Sequence, residues 1–343
     1  MSVPLAPTSI EQRSTDVAPL VDGYGRVARD LRISVTDRCD LRCTYCMPAE
    51  GLDWMPAEQQ LSFDEIERLA RCLTGLGIRS IRLTGGEPLM RAHLDRLVAR
   101  LAALGLDDLS LTTNGTTLAR HAARLADAGL DRVNVSLDSL VSHRVAAMTR
   151  RDSLDKVLHG IEVAQRSGLA PVKVNCVVVA GSNDDEILDF VEFARRTGCD
   201  VRFIENMPLG GGDGWTPDVV LPAAEVLARV ERHHELVPVT RGAEPASSYR
   251  FADGAPGRIG VIASVTEPFC SSCDRLRLTS DGQLRTCLFA HTETDLRGPL
   301  RDGASDAELA DLVRTAVAGK GPGHAIGQPQ FEQPVRLMSR IGG

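Results

Sequence analysis

The chain has 343 residues, 43% hydrophobic and 25% charged, with a formal net charge of −7, which is ordinary globular composition for one large or two moderate domains. The acidic balance excludes nonspecific nucleic-acid binding driven by overall charge, and 4% aromatic residues are too few for a base-stacking platform. No apolar run reaches the length of a membrane helix, so no membrane association is expected.

Residues 1 to about 20 are rich in Ser, Pro, Ala and Thr without period and read as a disordered arm. The start, Met1-Ser2-Val3-Pro4, lacks a basic region followed by an apolar one, so no secretory signal is expected. The nine cysteines are then expected in a reducing cytoplasm, where metal binding or catalysis is the better default than disulfides.

From about Val27, short β-branched runs alternate with amphipathic stretches, the pattern of βα units on a parallel sheet. Strands are predicted at Leu31–Thr36, Ser80–Thr84, Asp108–Thr112, Arg132–Leu137, Val172–Val179 and Val201–Asn206. Ser62 and Glu65 form a capping-box signature for the first helix, whose apolar face continues through Leu69, Leu73 and Leu76. Further helices are predicted near 91–104, 117–128, 153–167 and 184–197, each closed by a glycine. Six units predict an α/β fold, a partial (βα)6 TIM-like barrel over residues 21–208, with its site at the strand C-terminal ends.

After Pro208 the rhythm changes, and residues 209–343 read as a C-terminal extension. Leu209–Gly214 is a loop by composition. A helix near Pro222–His234, β-like runs at Gly260–Ile262 and Arg275–Leu278, a turn at Ser280–Gln283 and a helix at Asp306–Ala318 follow. The tail from Gly319 reads as irregular.

Three cysteines, Cys39, Cys43 and Cys46, follow the first strand with C-x-x-x-C-x-x-C spacing. Three thiolates on one short loop suit a four-iron cluster with one iron left unclaimed. Buried packing would explain one or two of them, not three in a loop rich in Arg and Asp. Zinc usually takes two separated C-x-x-C-type pairs. Thr84-Gly85-Gly86-Glu87-Pro88 follows the second strand, where paired glycines let backbone approach a ligand closely. A second trio, Cys270, Cys273 and Cys287, spans the predicted hairpin. Its spacing fits an iron–sulfur cluster or a zinc site equally well, with His291 as a fourth zinc ligand. Cys72, Cys176 and Cys199 read as packing residues. Arg32, Arg82, Lys173 and Arg202 lie in or beside strands, and Arg275, Arg277 and Arg285 flank the second trio. Buried cations need partners, so their convergence implies an anionic ligand, phosphate or carboxylate.

The first trio, with Tyr45 before its last cysteine, resembles the radical S-adenosylmethionine superfamily. The ordered set is similar, more narrowly, to the GTP 3′,8-cyclases of molybdenum cofactor biosynthesis. It comprises Leu31–Cys39, Thr44–Pro48, Thr84–Leu89, Leu111–Gly115, Val133–Ser139, Lys173–Asn175, Phe269–Arg277 and the terminal Gly342-Gly343. The resemblance implies that Cys39, Cys43 and Cys46 bind one 4Fe–4S cluster, with S-adenosylmethionine on the open iron. Tyr45, Gly86, Ser136 and Met207 would contact S-adenosylmethionine. Cys270, Cys273 and Cys287 would bind a second 4Fe–4S cluster that faces the guanine. GTP would be held by Arg32, Arg82, Thr112, Lys173, Arg275, Leu276 and Arg277, while Arg202, Gly342 and Gly343 would serve catalysis. A low-potential electron donor, a downstream cyclic pyranopterin monophosphate synthase and a monomeric or homodimeric state are also implied. Asp40 stands where many relatives have Asn, and Ser80 where many have Lys. The rival readings are a peptide-modifying radical enzyme and a non-catalytic zinc module.

Overall fold

The computed structural model describes residues 18–209 and 215–342. The expected arm up to residue 17, residues 210–214 and the final Gly343 lie outside the described residues. The six expected strands are β1 Asp30–Ser34, β2 Ser80–Thr84, β3 Asp108–Thr113, β4 Arg132–Ser136, β5 Lys173–Val178 and β6 Asp200–Glu205. They pair in sequence order, every pair parallel. The helices between them are α1 Phe63–Gly75, α2 Leu94–Ala102, α3 Leu118–Asp127, α4 Ser142–Thr149, α5 Leu154–Arg166 and α6 Ile187–Thr197.

Local chemistry accounts for these elements. At the start of α1, Glu65 N–H donates to Ser62 Oγ at 3.2 Å and Ser62 N–H donates back to the Glu65 carboxylate at 2.6 Å. This satisfies two amides that a helix end otherwise leaves bare. α1 then buries Ile66, Leu69, Ala70 and Leu73. The strands alternate in the expected way. Leu31, Ile33, Ile81, Leu83, Leu111, Val133, Val135 and Val174 are fully buried among the helices. Each such side chain contributes roughly 1.5–3 kcal/mol through burial. The intervening residues, Arg32, Arg82, Thr112, Ser136, Asn175 and Arg202, face the opposite side and line one cavity.

The C-terminal extension holds α7 Ala223–Glu231, β7 Leu236–Val239, β8 Ser247–Phe251, β9 Arg258–Ile262, β10 Arg275–Leu278, β11 Gln283–Arg285 and β12 Thr294–Asp295. α8 Arg297–Arg301, α9 Asp306–Ala318 and α10 Met338–Ile341 complete it. β9 lies parallel to β6, and β10 lies parallel to β1. The sheet order is therefore β12-β11-β10-β1-β2-β3-β4-β5-β6-β9-β8-β7. One extension covers both edges of the six-stranded core. The Ser280–Gln283 turn joins β10 to β11 as expected. α4, α8, α10 and the β7–β8 hairpin were not predicted.

Candidate active site

The inward faces of the strands and the loops after β1 to β4 enclose a cavity of about 310 Å³. Cys39, Cys43 and Cys46 occupy the loop after β1, and all three reach this cavity. The loop turns tightly, with Cys46 N–H and Met47 N–H both donating to the Cys43 carbonyl at 3.0 Å. Burial pushes the Cys39 thiol up to about 12, and Glu87 and Asp40 add to the rise. Burial takes Cys43 well above its usual value, with Cys46 and Asp138 adding to it. Cys46 is pushed up to about 11 by burial, opposed by the Ser339 backbone amide. Tyr45, between these cysteines, donates its hydroxyl to Asp138 Oδ2 at 2.6 Å. Burial holds Asp138 up at about 6.

The glycine pair after β2 packs directly on the cysteine loop. Gly86 N–H donates to Thr36 O at 2.8 Å, and Glu87 N–H donates to Arg38 O at 2.7 Å. A Cβ on Gly85 or Gly86 would collide with the Thr36, Asp37 or Arg38 carbonyls. Glycine is thus required here by contact between two loops as well as by access to a ligand. Glu87 ties the same turn to the end of β3. Its carboxylate accepts from Thr113 Oγ1 and Asn114 N–H, both at 2.7 Å.

Cys270, Cys273 and Cys287 line the opposite wall. Burial raises Cys270. Burial would raise Cys273 as well, yet Arg275 and Lys320 outweigh it and leave that thiol below its usual value. Among the described residues, no three His, Cys, Asp or Glu side chains converge on a single-ion site. A zinc ion would draw its sulfurs to about 2.3 Å from one centre. Three thiols are also the donor set that a cluster takes, each cysteine on a different iron. His291, weighed above as a fourth zinc ligand, is exposed and absent from the cavity wall.

Between the trios sits a group of cations. Arg32, Arg82, Arg202, Arg275 and Arg277 line the cavity. Burial lowers Arg32 far below the usual arginine value, and Arg277 and Arg82 repel it further. Burial also lowers Arg202 and Arg277 to about 10. Among the described residues, the buried acceptor Asn175 Oδ1 meets no donor, and buried Arg32 Nε and Arg275 Nε and Nη2 donate no hydrogen bond, with carboxylates only at 4.0 Å (Asp30) and 3.8 Å (Asp274). Unmatched donors of this kind await an anion. Lys173 is buried on the same face as Asn175, one inward step nearer the strand N-termini, and lies beneath the cavity wall.

The expected contacts Tyr45, Gly86, Thr112, Ser136 and Met207 all line the cavity. Leu276 requires correction. Its side chain is fully buried in the hydrophobic core, on the face opposite Arg275 and Arg277. Strand alternation dictates this, and only its backbone could meet a ligand in the cavity. The tail is less irregular than expected. α10 places Met338 and Ser339 on the cavity wall, and the Gly342 carbonyl accepts from Arg277. Gly342 has φ 83°, and a Cβ there would meet Thr84 Oγ1. Gly343 lies outside the described residues.

Sequence reasoning passed over Asp138, Glu87, Arg26, His324, Ser339 and Lys320. Asp138 and Glu87 were legible as acids just past strand ends. Arg26, His324, Ser339 and Lys320 carried no local signal. Asp40, which might have left a bare charge beside the first trio, is met by Arg151 at 3.3 Å, Asn114 at 2.7 Å and Thr116 at 2.9 Å.

Two family models match the chain: Radical SAM superfamily over residues 33–194, and Molybdenum Cofactor Synthesis C over residues 199–326. A GTP 3′,8-cyclase of Corynebacterium glutamicum is 52% identical, covering 94% of this chain and 89% of its own length. A GTP 3′,8-cyclase of Mycolicibacterium smegmatis is 51% identical, covering 95% and 92%. In fold, the chain is similar to the crystal structure of Streptococcus suis SuiB, with TM-score 0.59 and 16% identity over 86% of this chain and 67% of that one. The family models meet between β5 and β6, so the second takes in the last strand of the parallel core together with the extension that carries the second trio. Fold, cysteine pattern and near-full-length identity thus agree, and the chain belongs to the GTP 3′,8-cyclase family of the radical SAM superfamily.

Proposed function

We propose that this chain converts GTP to (8S)-3′,8-cyclo-7,8-dihydroguanosine 5′-triphosphate, the first step of molybdenum cofactor biosynthesis. The observation that carries the reading is one cavity lined by both cysteine trios and by buried arginines whose donors are only partly matched. When bound, a reduced cluster with S-adenosylmethionine on its open iron supplies the one-electron cleavage that makes the radical for C3′ of GTP.

Cys39, Cys43 and Cys46 hold that cluster, and Tyr45, Gly86, Ser136 and Met207 hold S-adenosylmethionine beside it. Cys270, Cys273 and Cys287 hold a second cluster facing the guanine. Arg32, Arg82, Arg275 and Arg277, with Thr112 and Lys173, neutralise the triphosphate and fix the ribose. Holding C3′ at the radical source converts an encounter into an intramolecular step. Arg202 and the terminal Gly342 and Gly343 serve catalysis. The protein's part is to orient the nucleotide and exclude water, while the cofactors carry the difficult chemistry. A low-potential donor supplies electrons, and a cyclic pyranopterin monophosphate synthase takes the product.

The test is anaerobic incubation with GTP, S-adenosylmethionine and reductant, followed by mass and NMR identification of the product. A cyclised nucleotide formed together with 5′-deoxyadenosine is expected. Release of 5′-deoxyadenosine with GTP left intact would sink the reading.

A further inference from the structure

Lys320 is only 5% exposed, yet no carboxylate pairs with it among the described residues. Its ammonium donates to the Cys273 carbonyl at 2.8 Å and to the Arg275 carbonyl at 3.2 Å, and it reaches Cys273 Sγ at 3.7 Å. An ammonium has three donors, and these three contacts use them all. A buried cation needs an anion: the sulfur of Cys273 is the one its ammonium reaches, while the Asp274 carboxylate acts on it without a hydrogen bond.

The position is rigidly held. Lys320 follows α9 directly, with its N–H on Val317 O at 3.0 Å. Arg26, itself paired with Asp22 at 2.6 Å, donates to the carbonyls of Gly321, Pro322 and Cys270. Gly323 packs on Cys270 so closely that a Cβ would overlap its sulfur. The 320–323 segment and the Cys270–Cys273 loop therefore form one unit. At the first trio Arg42 likewise donates to the Cys39 backbone carbonyl, at 2.8 Å, but among the described residues no Lys or Arg donates to a sulfur there, and the charges that act on its thiols are Asp40, Glu87 and Asp138.

We infer that Lys320 is a positioning and tuning residue for the second cysteine trio, a fixed positive charge on the Cys273 sulfur that raises the reduction potential of the cluster bound there. This rests on the reading that the second trio holds an iron–sulfur cluster. Reduction adds negative charge to a cluster, and a cationic donor on a ligand sulfur stabilises the reduced form.

The experiment is a potentiometric titration followed by electron paramagnetic resonance. It uses the full chain purified without air, in a Cys39→Ala background so that only the second trio contributes. Lys320→Met is expected to retain iron and shift the midpoint to more negative potential, and Lys320→Arg to return it toward the parent. An unchanged midpoint in Lys320→Met with full iron overturns the inference. If Lys320→Met loses iron, Lys320→Arg decides. Iron retained with the parent midpoint supports a charge role, and iron lost there too reduces the site to packing. A Cys39→Ala parent that binds no iron at all instead defeats the underlying cluster reading.

Discussion

The two cysteine trios face each other across one cavity, but their surroundings carry opposite signs. Around the first, Glu87, Asp40 and Asp138 raise the thiols further than burial alone. Around the second, Arg275 and Lys320 bring Cys273 below its usual value despite burial. In the first pocket the cation Arg42 meets the Cys39 backbone carbonyl and not a sulfur. The second pocket supplies positive charge from the protein. The difference teaches that the site is electrically polar along the line joining the trios. Negative surroundings keep a centre strongly reducing, and positive ones suit a centre that meets an anionic nucleotide.

The largest expected effect comes from breaking one end of that line. Cys39→Ala should lower iron from about eight to about four per chain and abolish 5′-deoxyadenosine release. Undiminished release, measured chromatographically, would falsify the assignment of the first trio. Next, the tail touches both ends: its Ser339 amide opposes the rise of Cys46, and Gly342 engages Arg277. Deleting Gly342 and Gly343 should stop cyclisation while iron content stays at wild-type level. A truncated chain that turns over GTP normally would make the tail a spectator.

Charge in the middle can be removed with two opposite consequences. Arg32→Met should weaken GTP binding roughly ten- to a hundred-fold, the loss of one charge-assisted contact. The same change should stabilise the ligand-free fold, because burial disfavours the Arg32 charge and Arg277 and Arg82 repel it. Calorimetry and denaturant titration check the two signs separately, and a destabilised ligand-free chain contradicts the account of mutual repulsion.

A smaller effect is expected from pH. Burial pushes Lys173 down to about 8, with Arg202 and Arg132 adding to it. Below about pH 8 the folded chain therefore carries a strained ammonium. Between about 8 and the ordinary value near 10.4, the folded form sheds the proton before the unfolded form does. Lys173's contribution to stability is thus unfavourable at low pH and improves as pH rises through that window. A bound triphosphate reverses the preference, so GTP affinity should fall across the same rise, with proton uptake on binding. Isothermal calorimetry in buffers of different ionisation enthalpy reads the uptake, which Lys173→Met should remove. Smallest of all, Asp40→Asn should cost less than about 1 kcal/mol, since its partner Arg151 is half exposed. A slight rise in the first cluster's potential is expected, and a large one would mean that Arg151 does not balance the charge.

Much of this was legible in the sequence, and the exceptions have physical reasons. The βα rhythm placed β2 at both ends and most other strand boundaries within a residue, because apolar alternation and helix-closing glycines are local signals. The β7–β8 hairpin escaped because Pro238 sits inside β7, where proline is tolerated only on an edge strand. α4 is short and ends at Arg150 in the left-handed region, and only the stretch that became α5, 153–167, was predicted. Both trios were readable from spacing. Leu276 was carried along with its neighbours as a block, although period-two alternation points it the other way. Lys320 lies 47 residues from Cys273, and nothing short of the fold brings them together.

The arrangement of β9 and β10 has a further consequence. They are consecutive in the chain but lie at opposite edges of the parallel core, β9 on β6 and β10 on β1. Residues 263–274 must therefore run from one edge of the core to the other, and Cys270 and Cys273 ride on that crossing. It works as a hasp: the wall that presents the second trio cannot be assembled until both edges are in place. The pairings that set it are among the most distant in sequence, Asp30 with Arg275 for example, and such contacts form late because loop closure must come first. The first trio belongs to a loop that can order early. The wall that carries the second trio is complete only when both edges of the core are paired, so a complete site also reports a finished sheet.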